Sequence, residues 1–297
     1  MRPRLSRWLI ALVLTLSACG AETSGTVTDD LGRSVAGGAY DTVVPLAPNV
    51  TELVAAAAGT DRLAGVSLSD DFPPGIESRP RFQSLPLDTE TVLGLEADLA
   101  LGSDDVTPTD AADGLAALGL PTYLFTFERV ADVPRALRTL DTLLTSRGGA
   151  DAALAFEQRV EAVQRAVSAY DRPRVLLLVG SEEGVLYAFG RDSYASEVVR
   201  LAGGDNLTDV YTGTAAQPSL EAVLEFAPQV IVVAGGGDAV SSLLEDHPAL
   251  VETPAARDRR IYALEADLVL RAGPRLVEGL ERLARQLHPR AFAAGAA

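Results

Sequence analysis

Ala152-Ala153-Leu154-Ala155-Phe156-Glu157-Gln158-Arg159-Val160-Glu161-Ala162-Val163-Gln164-Arg165-Ala166-Val167-Ser168-Ala169-Tyr170 contains neither glycine nor proline. Phe156, Val160, Val163, Val167 and Tyr170 recur at spacings of four and three, one apolar stripe on a helix of about 20 residues, hence about 30 Å long. Asp171-Arg172-Pro173 ends it, because proline has no amide hydrogen to continue the ladder. Such a helix midway along the chain is either a large crossover inside one domain or a rod joining two lobes.

On both sides of it, short β-branched runs alternate with helical patterns punctuated by Gly, Pro, Asn and Asp, the signature of α/β layers. Before it, Thr42–Leu46, Leu63–Ser67, Leu99–Leu101 and Thr122–Phe125 read as strands, and Asn49-Val50-Thr51-Glu52 opens a helix closed by Gly59. After it come Val175–Val179, Val185–Phe189 and Val230–Val233. These runs are apolar enough to be buried on both faces, as parallel sheets require. A repeat decides for two lobes: Asp88-Thr89-Glu90-Thr91-Val92-Leu93 stands before Ala97-Asp98-Leu99-Ala100-Leu101 as Ser219-Leu220-Glu221-Ala222-Val223-Leu224 stands before Pro228-Gln229-Val230-Ile231-Val232. Each half thus has a capped helix with a glutamate in its first turn, feeding a buried strand. The expected fold is α/β: two lobes with mainly parallel central sheets bridged by one long rigid helix. The expected divisions are a leader at 1–19, a tether at 20–25, an N-terminal lobe at 26–130, connecting helices at 131–171, a C-terminal lobe at 172–290 and a tail at 291–297.

The leader places the protein. Arg2, Arg4 and Arg7 precede an apolar run from Trp8 to Leu16, which ends in Leu16-Ser17-Ala18-Cys19. A basic start, a short apolar core and small residues at the end read as a secretory signal, and the run is too short to span a bilayer of roughly 30 Å. Cys19 is the only cysteine in 297 residues, so no intrachain disulfide exists to explain it. The leader resembles the bacterial lipobox, in which that thiol is lipidated and becomes the new N-terminus. Residues 20–25, small and polar, suit a flexible tether. The implied location is extracytoplasmic, anchored by lipidated Cys19 in the periplasm or at the outer face of the cell membrane.

Removing the three leader arginines from 25 basic residues, against 41 acidic ones, leaves a net charge of −19. That excludes nucleic acid as a partner and disfavours adhesion to anionic lipid, leaving the lipid anchor as the only membrane contact. Every basic residue other than histidine is arginine; there is no lysine.

Asp29-Asp30-Leu31-Gly32-Arg33, Val44-Pro45-Leu46-Ala47-Pro48-Asn49-Val50-Thr51-Glu52-Leu53, Leu201-Ala202-Gly203-Gly204-Asp205-Asn206-Leu207 and Gly273-Pro274-Arg275-Leu276, in that order, resemble the periplasmic binding proteins of importers for cobalamin, ferric siderophores and haem. The similarity runs from about Thr26 to Pro289. It implies a ligand held between two lobes and delivered to an ABC importer, a permease dimer with its ATPase, by a monomeric protein that needs no resident cofactor.

Ser69-Asp70-Asp71-Phe72-Pro73-Pro74 is most similar to the cobalamin branch, and the resemblance carries corrinoid contact onto Phe72, Tyr187, Asp267 and Arg271. The tryptophans usual in that branch align with Ser84 and Ala215, and Trp8 in the leader is the only tryptophan. Phe82 and Tyr194 are the expected replacements. A ferric siderophore or haem is the alternative cargo. The resemblance also implies that Glu90 and Glu221, one per lobe, meet arginines on the permease.

The residues themselves leave alternatives open. Phe72, Phe82, Tyr187 and Tyr194 belong either to a cleft for a flat chelate or to lobe packing. Asp267 and Arg271, four apart, pair with each other on a helical turn or hydrogen-bond ligand amides and carboxylates. Asn49 and Ser193 cap helices, and Asn49 is also a candidate ligand contact. Glu90 and Glu221 either favour their helix dipoles or dock a partner. With only His247 and His288, assigned to loop and helix-end positions, no protein metal site is expected. A secreted hydrolase would need a nucleophile elbow, a cysteine-histidine pair or a phosphate-binding loop, and the sequence has none; no enzyme is expected.

Overall fold

The computed structural model describes residues 25–38, 40–182 and 184–293. The leader, Cys19 and most of the tether lie outside the described residues. Two α/β lobes are joined by one long helix. In the N-terminal lobe, strands Val43–Pro45, Leu99–Ser103 and Thr122–Phe125 form a parallel sheet with Leu99–Ser103 in the middle. A parallel pair, Val66–Ser67 with Arg81–Phe82, extends it through a bridge between Val43 and Leu63. All these strands run the same way, so their carboxyl ends and the loops that follow lie along one edge.

The C-terminal sheet is larger, in the order Ala215–Ala216, Val185–Phe189, Arg174–Glu182, Val230–Ala234, Ile261–Leu264, with Asp205–Asn206 also paired to Arg174–Glu182. Its centre is parallel. The strand Val185–Phe189 departs from the expectation of a doubly buried parallel strand. It turns back antiparallel on Arg174–Glu182 as a hairpin, and its residues alternate in exposure, which leaves Tyr187 half-buried.

The repeat is structural. Asp88 accepts a hydrogen bond from Thr91 N at 3.1 Å at the start of helix Thr89–Gly94, and Ser219 accepts one from Ala222 N at 3.2 Å at the start of helix Leu220–Phe226. Each helix then leads into an inner strand of its lobe's sheet. Between helix and strand, Glu96 and Ala227 both take left-handed backbone angles (φ 53° and 48°) at corresponding positions, an uncommon conformation for residues with a Cβ.

The bridging helix spans Gly148–Val167, 20 residues. It begins earlier than the apolar stripe suggests, because Gly148 and Gly149 form its first turn. A Cβ on Gly149 would lie 2.0 Å from the carbonyl oxygen of Leu137, and one on Gly148 2.5 Å from that of Ala57. Those glycines let the rod press against helices Asp132–Leu144 and Pro48–Ala58. Phe156, Val163 and Val167 are buried on the rod, while Val160 is only partly buried. They belong to one continuous core that also holds Leu53, Leu101 and Leu137 of the first half and Val175, Val232 and Leu280 of the second. Ion pairs flank it: Arg138 holds Glu157 at 2.6 Å and Arg159 holds Glu281 at 2.8 Å. Tyr170, placed by the sequence on the helix, lies beyond its end and is exposed.

Two of the sequence motifs have local physical roles. The Asp29 carboxylate accepts from Leu31 N at 3.0 Å, Arg33 N at 2.6 Å and Arg33 Nε at 2.8 Å, closing the turn of hairpin Thr26–Ala36 around Gly32 (φ 88°). His288 ends helix Leu276–Leu287, its Nε2 3.1 Å from the carbonyl oxygen of Gly203. Burial holds this imidazole below the ordinary histidine range.

Candidate ligand-binding cleft

The loops at the carboxyl edge of the N-terminal sheet face the second lobe across a cavity of ≈ 510 Å³. Its walls are mostly apolar: Phe127 comes from the first lobe, and Tyr187, Phe189, Tyr194 and Leu270 from the second. Asp105 and Gln217 are polar groups on its surface. Tyr194 starts helix Tyr194–Leu201, whose cap Ser193 accepts from Ser196 N at 3.1 Å, as the sequence predicts. The Tyr194 hydroxyl donates to Leu270 O at 2.9 Å, and burial raises its pKa far enough to keep it protonated. It therefore supplies a fixed ring face rather than a free donor. Ser193 also borders a charged recess of ≈ 730 Å³, in which Arg200 pairs with Asp209 at 3.1 Å and Arg191 with Asp192 at 3.6 Å.

Just beyond Leu270 in the chain the lobes touch through charge. Arg271 reaches Asp267 at 3.1 Å within its own lobe and Asp71 of the other lobe at 2.6 Å. Arg275 binds Glu52 across the lobes, Nη2 to Oε1 at 2.6 Å and Nε to Oε2 at 3.1 Å, and its guanidinium lies 4.3 Å from the centroid of the Phe72 ring. Burial pushes the Glu52 carboxyl up, while Arg275 and Arg271 pull it back. In turn Glu52 holds the Arg275 guanidinium more firmly protonated. Burial likewise raises Asp71, but Arg271 more than offsets this and leaves its carboxyl below the usual range; burial raises Asp267, with Asp71 nearby as a further cause. Phe72 is presented by the turn Ser67–Asp70, in which the buried Asp70 carboxylate accepts from Ser67 N at 2.5 Å.

The structure thus places Tyr187 and Tyr194 on the cavity wall and gathers Asp267 and Arg271, with Phe72 against Arg275, in an inter-lobe ionic cluster that follows the lining residue Leu270 in the chain and is not part of the lining. Two candidates fall elsewhere than expected. Phe82 is not on a cleft-facing loop: it lies on strand Arg81–Phe82 at 2% exposure, packed with Val44, Leu46 and Val92 inside the first lobe. Asn49 does not cap its helix. Ala47 holds that position with no side-chain bond and Pro48 occupies the first turn. Instead Asn49 is buried and its Nδ2 donates to Ala272 O at 3.4 Å, a lobe-to-lobe contact.

Glu52 and Arg275 were legible only as parts of motifs. The signal was a lone acid on a helix otherwise built of Val, Leu, Ala and small polar residues, far in sequence from an arginine held between Pro274 and Leu276. Phe127, Phe189 and Leu270 gave no distinct signal. Glu90 and Glu221 are exposed at matching first-turn positions, and neither forms an ion pair among the described residues. His247 and His288 stand away from the cleft lining, and no group of three or more potential metal ligands occurs among the described residues.

The chain belongs to the periplasmic binding protein family, whose sequence pattern matches residues 43–268. It is 27% identical over 252 residues to the vitamin B12-binding protein of Pectobacterium atrosepticum, covering 82% of this chain and 88% of that one. It is 24% identical over 259 residues to the uncharacterized ABC transporter substrate-binding lipoprotein YvrC of Bacillus subtilis, covering 84% and 81%. Among solved structures, the periplasmic haem-binding protein RhuT of Roseiflexus sp. RS-1 in apo form superimposes with a TM-score of 0.75 at 25% identity, over 85% of this chain and 99% of that one.

Proposed function

We propose that this protein is the extracytoplasmic substrate-binding component of an ABC importer, capturing a metal chelate between its lobes and handing it to a permease dimer driven by an ATPase. The observation that carries this is the inter-lobe cavity, walled by Phe127, Tyr187, Phe189, Tyr194 and Leu270, with Arg271, the residue after Leu270, holding Asp71 across the lobes. Ring faces and aliphatic walls suit a large flat chelate, and a few charged groups at the rim fix its orientation. A corrinoid is the favoured cargo. It carries its own axial ligands, so it needs walls and partners for its amides rather than a protein donor to the metal. The similarity to a vitamin B12-binding protein points the same way. The structural likeness to a haem-binding protein favours haem as the second reading, for which Tyr187 offers the cleft a phenol.

The visible spectrum of the protein purified from its native membranes separates these cargoes. Corrinoid bands are expected; a Soret band would assign the cleft to haem, and a ferric charge-transfer band to a siderophore. Product formation on incubation with the chelate would sink the reading altogether.

Two further parts belong to it. Cys19 is the lipid anchor, supported by Leu16-Ser17-Ala18-Cys19 and the absence of a second cysteine; Cys19→Ala should move the protein out of the detergent phase. Glu90 and Glu221 seat the permease, supported by their exposure at equivalent positions of the two lobes. Uptake should fall in each alanine variant and further in the double variant, with ligand affinity unchanged. Normal uptake by the double variant would end the docking claim.

A further inference from the structure

Glu52 has a side chain only 2% exposed, and a carboxylate so buried is costly unless fixed cations and donors compensate. Its cations come entirely from the other lobe: the Arg275 fork at 2.6 and 3.1 Å and Arg271 at 3.8 Å. Beside it, Asn49 bonds Ala272 O, and the backbone of Gly273 runs so close that a Cβ there would lie 3.4 Å from Glu52 Oε2. The same guanidinium that is bonded on its edge to Glu52 presents its face to Phe72. Edge and face of one rigid planar group are therefore both in use, which a lysine cannot reproduce.

We propose that Glu52 and Arg275 are positioning residues for ligand recognition: their fork sets the spacing of the lobes at this contact and holds the Phe72 ring in place against it. Arg271, shared between Asp71 and Asp267, remains the cation that ligand amides or carboxylates meet. The claim about affinity rests on the proposed function, in which Phe72 touches the chelate; the claim that Phe72 is immobilised does not.

The test uses the full chain with Trp8→Phe and Phe72→Trp, so that the sole tryptophan reports on this contact. Without ligand, Arg275→Lys and Glu52→Gln should each raise acrylamide quenching of that tryptophan about twofold with far-ultraviolet circular dichroism unchanged, since the stacking partner or its tether is gone. Should Glu52→Gln fail to fold, Arg275→Lys still gives Glu52 a cation and carries the measurement. With Phe72 restored, Arg275→Lys should weaken cyanocobalamin binding about 5- to 20-fold, and in a Phe72→Ala background it should add less than about twofold. Unchanged quenching would overturn the positioning role, as would a full Arg275→Lys effect that persists without Phe72. A parent protein that binds no cobalamin would overturn the functional reading alone, leaving the quenching result to decide the clamp.

Discussion

Along the bridging helix the lobes share buried Phe156, Val163 and Val167 and a core that runs unbroken from one sheet to the other. At the ionic contact they share Glu52, Arg275, Arg271 and Asp71, with Phe72 stacked on Arg275. Apolar burial is non-directional and supplies strength; a forked ion pair gains little net free energy but fixes an angle and a distance. The first joint makes the molecule one body, and the second aims the surfaces that meet a ligand. The two joints together predict small lobe motion, since opening the cleft must either bend a hydrogen-bonded helix or strip Glu52 of its partners.

The strongest way to break this contrast is Phe156→Ala, which removes a buried ring from the rod. It should destabilise the fold by about 3–5 kcal/mol, measured by urea denaturation. Cutting the ionic joint should cost less in stability and more in function. Glu52→Ala leaves Arg275 with Asp267 at 3.7 Å as a fallback partner, so a loss of about 1–3 kcal/mol is expected, together with weaker ligand binding. Equal losses from both changes, with binding intact in the second, would erase the distinction. Solution scattering sharpens it: profiles with and without ligand should nearly superimpose, and a large fall in radius of gyration on binding would count against two fixed joints.

The smallest effect concerns His288, which packs behind the rod's end against Gly203 and Tyr170. Its folded pKa is depressed by burial, so the unfolded chain takes up a proton first as pH falls. Its share of stability is therefore complete above the ordinary histidine value near 6.5 and is lost as pH drops from there toward the depressed folded value. Thermal scans between pH 7.5 and 5.5 should show a decline that is shallower in His288→Gln.

Much of the rod joint was legible in the sequence, because an amphipathic helix writes its period into the chain: Phe156, Val163 and Val167 declare the buried face. Its start was not, because Gly148 and Gly149 read locally as breakers and are admitted only by close packing against Leu137 and Ala57. The repeat was legible through Asp88 and Ser219, whose caps are local chemistry. The ionic joint was mostly hidden. Asp267 and Arg271 stand four apart and could be paired on paper, whereas Glu52 and Arg275 are joined only by the closing of two lobes. Phe82 misled because an aromatic beside a loop looks the same in sequence whether its ring turns toward the cleft or into the core, and here the core took it. Asn49 misled because Pro48 claims the first helical turn and moves the cap back to Ala47.

Isothermal titration of the full protein with cyanocobalamin tests the central claim most directly. One-to-one binding at about micromolar affinity or tighter is expected, weakened at least about tenfold by Phe72→Ala through lost apolar contact. No heat with cyanocobalamin beside clear saturation by a ferric siderophore or haem would contradict the assignment of the cleft to a corrinoid.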